Sequence, residues 1–212
     1  MIRQVRKNRL RALLLVGAAG ALLLGAASGV ETLRISEEGH QQMLAKLGVQ
    51  SAGARKPDVT IVEYFDYNCP YCKKLTPTFQ ALLAQDPKIA IVYKDWPILG
   101  AVSVYAARAA LAAQWQGKYL LAHDTLMGGP RLATNEQVDA ALRQAGVDTV
   151  VLDKDRSSHA ADIDALLARS EEEARALTLK GTPGVVVGRE LVVGSAELAD
   201  LQELIAKSRH AK

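Results

Sequence analysis

Residues 59–73 have the sequence VTIVEYFDYNCPYCK, and this stretch decides the fold. Val59 to Phe65 is rich in β-branched and aromatic residues, which is typical of a buried strand. The motif Cys69-Pro70-Tyr71-Cys72 comes shortly after it, and helical sequence follows from Lys73 to Gln85. Ile89 to Tyr93 (IAIVY) then has the composition of a second strand, so this segment predicts a parallel strand–helix–strand unit.

The two cysteines are three positions apart, and the 212 residues contain no others. A disulfide that closes so small a loop restrains the unfolded chain very little, so stability does not explain the pair. At the start of a helix, free amides and the helix dipole stabilise a thiolate. We therefore predict that Cys69 is the nucleophile and that Cys72, one turn later, resolves a mixed disulfide. Pro70 and Tyr71 lie between the thiols and tune the redox potential.

Metal and haem sites are poorly supported by the rest of the chain. A zinc site needs two further ligands, and the four histidines are scattered singly. Covalent haem attachment requires a histidine directly after the second cysteine, where Lys73 stands. We expect no metal and no cofactor. Copper(I) binding by the two thiolates, or a holdase activity of the same cleft, stays open as an alternative function.

The remainder of the chain predicts an α/β protein, a thioredoxin fold with an inserted helical domain. No strand pattern is found from about 101 to 180, where helical segments cover 102–116, 118–127, 135–145 and 159–179. Short strands at 185–187 and 190–193 form a hairpin, and 196–207 is a final helix. Gly181-Thr182-Pro183 precedes that hairpin. In a thioredoxin fold, Pro183 would be cis and face the dithiol, and Thr182 would offer its backbone to a substrate strand.

Glu63 and Lys94 lie in the two predicted central strands, where a charge is costly unless it has a partner. Neighbouring parallel strands could bring the two side chains together beneath the dithiol, where Glu63 would accept a proton from Cys72. The alternative is that they point to opposite faces or to solvent.

Residues 1–30 predict a signal peptide or an N-terminal membrane anchor. A basic stretch from Arg3 to Arg11 precedes the apolar run Ala12 to Ala27, and Ala26-Ala27-Ser28 suits cleavage. Without cleavage, residues 12–30 approach the ~20 apolar residues that span a bilayer. Both interpretations place the rest of the chain outside the cytoplasm, in the periplasm. We interpret 31–57 as an N-terminal helix and a linker, the latter at 51–57, and 58–212 as the catalytic domain.

The distribution of charge argues against nucleic acid as a partner. The formal net charge of +3 includes five positive charges within residues 1–28, so the remainder carries −2. A nucleic-acid-binding protein keeps its basic surface in the folded part.

The motif from Phe65 to Lys73, together with the Gly181-Thr182-Pro183 loop, resembles the DsbA-like family of periplasmic thiol–disulfide oxidoreductases, and especially its ScsC-type subgroup. The resemblance covers the chain from about Asp58 onward. It implies a helical insertion, a cis-Pro183 loop, an acid at Glu63 and a lysine partner at Lys94. It also implies exported cysteine-containing proteins as clients, and a membrane redox partner of DsbB type or of DsbD/ScsB type.

Two positions differ from the strong oxidases of that family, which resemble Cys-Pro-His-Cys with valine before the cis-proline. Tyr71 and Thr182 are instead similar to the residues of isomerase-type relatives, so oxidase, reductase and isomerase roles all stay open. Oligomeric relatives have a substantial N-terminal region. About 27 residues separate the apolar run from the catalytic domain here, so we expect a monomer.

Overall fold

The computed structural model describes residues 30–45, 50–194 and 196–211. Within these ranges, six strands form one sheet: β1 (Thr32–Arg34), β2 (Ser51–Gly53), β3 (Val59–Phe65), β4 (Ile89–Asp95), β5 (Gly184–Val187) and β6 (Glu190–Val192). The helices are α1 (Glu37–Ala45), α2 (Pro70–Gln85), α3 (Ala101–Ala112), α4 (Tyr119–Gly128), α5 (Asn135–Gln144), α6 (Thr149–Ser158), α7 (Ala160–Ala176) and α8 (Leu198–His210).

The strand order is β1-β6-β5-β3-β4-β2, with β3 and β4 parallel and the other neighbours antiparallel. The parallel pair is the strand–helix–strand unit that the sequence predicts, and β5 and β6 are the predicted hairpin. Helices α3 to α7 lie between the two halves. The α/β prediction of a thioredoxin fold with an inserted helical domain is therefore confirmed.

The sheet has a different core on each face, because side chains of a strand alternate between its faces. Ile61 and Phe65 of β3 belong to the larger core, which includes the dithiol, α2, α8 and the helical insertion. Val62 and Tyr64 belong to the smaller core, where Met43 of α1 and residues of α7 pack. The two cysteines therefore belong to the core on one face of the sheet and not to the core on the other.

The helical insertion contains one helix more than the sequence pattern indicates. The predicted helix 159–179 is α7, and α6 precedes it with only His159 between the two. Asp148 begins α6, because its carboxylate accepts hydrogen bonds from the backbone N–H groups of Val150 and Val151 at 3.0 and 3.1 Å. An aspartate at this position is a strong helix start.

Residues 51–57 are not simply a linker, since β2 pairs with β4 in the register Ser51↔Val92. Gly53 has φ of +96°, and a Cβ atom there would lie 2.5 Å from the carbonyl oxygen of Ile89, so glycine is required. On the opposite edge, β1 pairs with β6 in the register Thr32↔Val192. Part of 31–57 therefore completes the sheet on both sides.

The predicted signal peptide or anchor falls in residues 1–29, outside the described residues, apart from Val30. Among the helices of the three described ranges, none combines the length and the apolar composition needed to cross a bilayer.

Candidate active site

Cys69 is the N-cap residue of α2, with φ −75° and ψ 118°, and Pro70 begins the helix. Its sulfur accepts a hydrogen bond from the backbone N–H of Cys72 at 3.4 Å. Its thiol donates to the carbonyl oxygen of Thr182 at 3.2 Å. The helix start and the loop before β5 therefore meet at this sulfur.

The two thiols have opposite acid strengths. Hydrogen bonds from Cys72, from the Thr182 side chain and from backbone N–H groups lower the pKa of Cys69 to about 6, although partial burial opposes them. Burial, followed by the hydrogen bond to Cys69 and the charge of Glu63, raises the pKa of Cys72 far above its usual range. Cys69 is the thiol that this geometry prepares for nucleophilic attack, since the thiolate is the reactive form.

The Thr182–Pro183 peptide bond is cis, and both residues line a groove of about 430 Å³ beside the dithiol. Tyr71 lies on the other side of this groove with 69% of its surface exposed. The remaining wall is largely apolar and includes Val185 and Val192. Such a groove can hold an extended chain next to Cys69.

Two polar side chains fix the loop that carries the dithiol. The carboxylate of Asp66 accepts hydrogen bonds from the backbone N–H groups of Asn68, Ile98 and Leu99 at 2.7 to 2.9 Å. The side-chain amide of Asn68 donates to the carbonyl oxygen of Leu132 at 3.0 Å and accepts from its N–H at 2.8 Å. The loop is thus joined both to the end of β4 and to the helical insertion.

Glu63 lies on the dithiol face of β3 and is only 2% exposed. Burial, followed by the negative charges of Cys69 and Asp95, raises the pKa of this carboxyl well above its usual value. Its Oε1 atom has no hydrogen-bond partner among the described residues. The carboxyl therefore has a free oxygen near Cys72, whose pKa it raises in turn.

Lys94 is not the partner of Glu63, and the predicted pairing of the two is wrong. In the parallel register, Glu63 lies opposite Tyr93 while Lys94 lies opposite Tyr64, so the two charges occupy opposite faces. Lys94 Nζ instead lies 2.9 Å from Glu173 Oε2 of α7, which also accepts a hydrogen bond from the Tyr64 hydroxyl at 3.1 Å. The alternative of opposite faces is the observed one.

A buried polar cluster beneath the dithiol was not predicted. The Tyr119 hydroxyl donates to Asp95 Oδ2 at 2.7 Å, and the Tyr67 hydroxyl lies 3.5 Å from His123 Nδ1. Burial lowers the pKa of His123 to about 3, so its ring is neutral among the aromatic rings around it. The spacing of Tyr119 and His123, four residues apart on one helix face, was an available signal.

The sequence from 60 to 206 matches the family described as DSBA-like thioredoxin domain. Among solved structures, a thioredoxin-like oxidoreductase from Silicibacter pomeroyi is 42% identical, with a TM-score of 0.73 over 76% of this chain and 92% of that one. The catalytic domain of Proteus mirabilis ScsC is 24% identical, with a TM-score of 0.72 over 82% and 98% of the two chains, and shows the shared fold.

Two kinds of curated relatives match as well. A probable disulfide bond formation protein D from Bacillus cereus is 24% identical over 88% of this chain and 92% of its own length. A Na⁺/H⁺ antiporter from Salinispora tropica is 29% identical over 82% of this chain. The chain spans only about a quarter of the length of the antiporters, namely 26%, 24% and 26% of the three first matched.

Proposed function

Because this chain belongs to the family of DsbA-like thioredoxin domains, we propose that it is a thiol–disulfide oxidoreductase that exchanges disulfides with exported cysteine-containing proteins in the periplasm. The contact between the Cys69 thiol and the Thr182 carbonyl carries this proposal, since it joins an acidic thiol to a groove for an extended chain. The basic and apolar character of residues 1–28 supports an exported location.

In the proposed reaction, the Cys69 thiolate attacks one sulfur of a client disulfide, so the client S–S bond breaks, the other client sulfur leaves as a thiolate and a mixed disulfide forms. Cys72 then gives its proton to Glu63 and attacks Cys69, which releases the client thiolate and closes the Cys69–Cys72 disulfide. The reverse sequence oxidises a client dithiol. Pro70 and Tyr71 tune the potential, and Thr182 and Pro183 hold the client. We propose that the protein acts as a monomer, because β1, α1 and β2 pack on its own sheet.

Trapping of the mixed disulfide tests this proposal. We expect Cys72→Ser to accumulate covalent complexes with a disulfide-containing protein, visible on a non-reducing gel, since nothing resolves them. The matched control, Cys69→Ser, should trap none. Equal behaviour of the two variants, or no complexes at all, would contradict the exchange function and favour copper(I) binding or a holdase.

The physiological direction depends on the membrane partner, and the reduction potential assigns it. A value near about −120 mV, as for the strong oxidant DsbA, would indicate reoxidation by a partner of DsbB type. A value near about −270 mV, as for thioredoxin, would indicate a partner of DsbD/ScsB type that keeps the dithiol reduced. Equilibration with glutathione followed by thiol trapping gives this potential.

A further inference from the structure

Asp95 ends β4 inside the protein, on the same face of the sheet as Glu63. The register pairs Glu63 with Tyr93 and Phe65 with Asp95, so the two carboxyls are diagonal neighbours on adjacent strands. Both residues are almost fully buried, at 2% and 3% exposure. The active-site face therefore contains two buried acids, and the negative charge of Asp95 contributes to the raised pKa of Glu63.

Each of these carboxyls has one buried oxygen without a hydrogen-bond partner among the described residues, Glu63 Oε1 and Asp95 Oδ1. The other oxygen of Asp95 is held by the Tyr119 hydroxyl at 2.7 Å. A buried oxygen without a partner is costly, and a proton or a water molecule removes that cost. The arrangement suits groups that bind and release protons.

A cavity of about 20 Å³ adjoins Asp95 at the end of β4, large enough for about one water molecule. Part of its wall comes from the segment before β2 and part from α3 and α7. Its polar lining is provided by Gln50, Lys94, Asp95, Arg169 and Ser170. Asp95 thus lies between Glu63 and a polar cavity that is separate from the client groove.

We propose that Asp95 is the second proton carrier of the active site and passes protons between Glu63 and the water-sized cavity at the end of β4. This inference rests on the proposed role of Glu63 as the base for Cys72. Asp95 contacts neither sulfur and acts through Glu63, so it is a positioning residue for the proton rather than a catalytic residue.

Reduction of a client moves one proton from Cys72 to the solvent. The Cys72 thiol transfers its proton to Glu63 as its sulfur attacks Cys69, so the Cys69–Cys72 bond forms and the bond to the client sulfur breaks. The electron pair leaves with the client thiolate, which takes a proton from water. Glu63 then passes its proton to Asp95, which releases it through the cavity. Oxidation of a client runs the same transfers backwards.

Three tyrosines and one histidine around Asp95 keep their protonation state near neutral pH. Burial raises the pKa values of the Tyr67, Tyr93 and Tyr119 hydroxyls, so they stay protonated. His123 stays neutral, since its pKa is lowered to about 3. The negative charge of Asp66 raises the pKa of Asp95, and Lys94 and Arg169 line the cavity together with Asp95.

The carboxyl of Asp95 is suited to bind and release a proton near neutral pH. Burial raises its pKa to about 7, against hydrogen bonds from Tyr119 and Tyr67 that lower it. Proton carriers work best when their pKa lies near the working pH.

The test measures how the resolution of a preformed mixed disulfide depends on pH, in the full chain with a small disulfide attached to Cys69. We expect Asp95→Asn to slow resolution about tenfold near pH 7, less than the loss of a direct base, and to remove the inflection near that pH. The rate at which Cys69 attacks a disulfide should stay within about twofold, because the pKa of Cys69 is set by Cys72, Thr182 and Tyr71 and by burial.

Glu63→Gln and the double variant separate a shared route from two independent effects. If Asp95 acts through Glu63, the double variant is no slower than Glu63→Gln alone. If the rate reductions of the two single variants multiply in the double variant, the proposed proton transfer between Glu63 and Asp95 is overturned. The matched control is Asp139→Asn, since Asp139 also accepts a tyrosine hydroxyl, that of Tyr105 at 2.8 and 2.9 Å, but outside the site. Asp139→Asn should leave the pH dependence of the resolution rate unchanged.

Tyr119→Phe keeps the proposal testable if Asp95→Asn does not fold. Loss of the Tyr119 hydroxyl raises the pKa of Asp95, so the inflection of the resolution rate should move to higher pH. Two results would overturn the proposed role of Asp95. One is an unmoved inflection of the resolution rate in a folded Tyr119→Phe protein, and the other is an inflection near pH 7 that Asp95→Asn retains. If the wild-type Cys69 forms no mixed disulfide at all, the proposed function fails instead.

Discussion

The Cys69 thiol and the Thr182 carbonyl oxygen lie 3.2 Å apart, although 113 residues separate them in the chain. This contact joins the first turn of α2 to the loop before β5, which are the two segments that form the walls of the client groove. The nucleophile therefore contacts the loop that would hold its client, and the Thr182 side chain of the same loop lowers the pKa of Cys69.

Cys69 should react with alkylating reagents far below the pH at which a free thiol reacts. Because its pKa is lowered to about 6 while that of Cys72 is raised, iodoacetamide at pH 7 should modify Cys69 alone. Mass spectrometry of the labelled peptides and thiolate absorbance near 240 nm provide the measurement. A titration midpoint near about 8.5, the value of an unperturbed thiol, would contradict the expected acidity.

Thr182→Val should make Cys69 less acidic and the couple more reducing. The side chain of Thr182, as distinct from its backbone carbonyl, forms a hydrogen bond that lowers the pKa of Cys69, and hydrogen bonds to charged groups contribute about 1.5–3 kcal/mol. A loss of about 1.4 kcal/mol corresponds to about 30 mV in a two-electron couple, and we expect the potential to fall by this order. Thr178→Val, a threonine outside the dithiol contacts, is the control. An unchanged potential in Thr182→Val would count against a role of the Thr182 side chain in the acidity of Cys69.

Asn68→Ala should loosen the dithiol loop and lower the free energy of unfolding by about 1–3 kcal/mol, because it leaves the buried N–H and carbonyl groups of Leu132 without partners. Urea denaturation measures this difference. Asn135→Ala on the exposed first turn of α5 serves as the control and should stay within about 0.5 kcal/mol. Equal effects of the two substitutions would show that the Asn68 bonds contribute nothing specific.

Lys94→Ala should destabilise the protein without a change in the Cys69 titration. It removes the cation that pairs with Glu173 and leaves a largely buried carboxylate, which costs about 3–5 kcal/mol. The dithiol lies on the opposite face of the sheet, so its acidity should stay constant. Arg175→Ala is the control, since its ion pair with Glu171 is exposed and contributes at most about 1 kcal/mol. A raised or lowered Cys69 pKa in Lys94→Ala would place Lys94 in the active site after all.

In the wild type, the free energy of unfolding should fall as the pH rises from about 4 to 7, and Asp95→Asn should make this fall smaller. The folded-state pKa of Asp95 is about 7, above the usual value of 3.8, so the folded protein holds a proton that the unfolded chain releases in this range. Stability from this group is therefore present below pH 3.8 and lost as the pH rises to about 7, by a few kcal/mol in total. Denaturation midpoints at pH 5 and pH 8 provide the comparison. A variant with the same pH slope as the wild type would contradict the raised pKa.

The sequence predicts well those features that local pattern determines. The strand Val59–Phe65 leading into Cys69 and the hairpin after Pro183 need only residue composition and turn residues. The residues that meet only through strand register could not be placed in this way. Glu63 and Lys94 are both charges in central strands, and a register shift of one residue decides whether they share a face.

The buried cluster was missed because it joins elements that are distant in sequence. Asp95 ends β4, while Tyr119 and His123 come from α4 of the insertion, and no local pattern shows that this helix packs over the end of the sheet. The edge strands were missed for a different reason. β1 and β2 have three residues each, too few for an alternating pattern to be recognised.

The outermost strands have a consequence for the order in which the molecule is assembled. β1 must wait for β6, 156 to 160 positions later by the pairs Arg34↔Glu190 and Thr32↔Val192, whereas β3, α2 and β4 can associate among themselves. Contacts between residues so far apart form slowly, because closing a long loop costs entropy before any contact compensates for it. A chain that emerges amino end first would therefore have its dithiol segment structured while its first strand is still unpaired. The pairing of β1 with β6 would form last, and protection of these strands from protease would report the completion of folding.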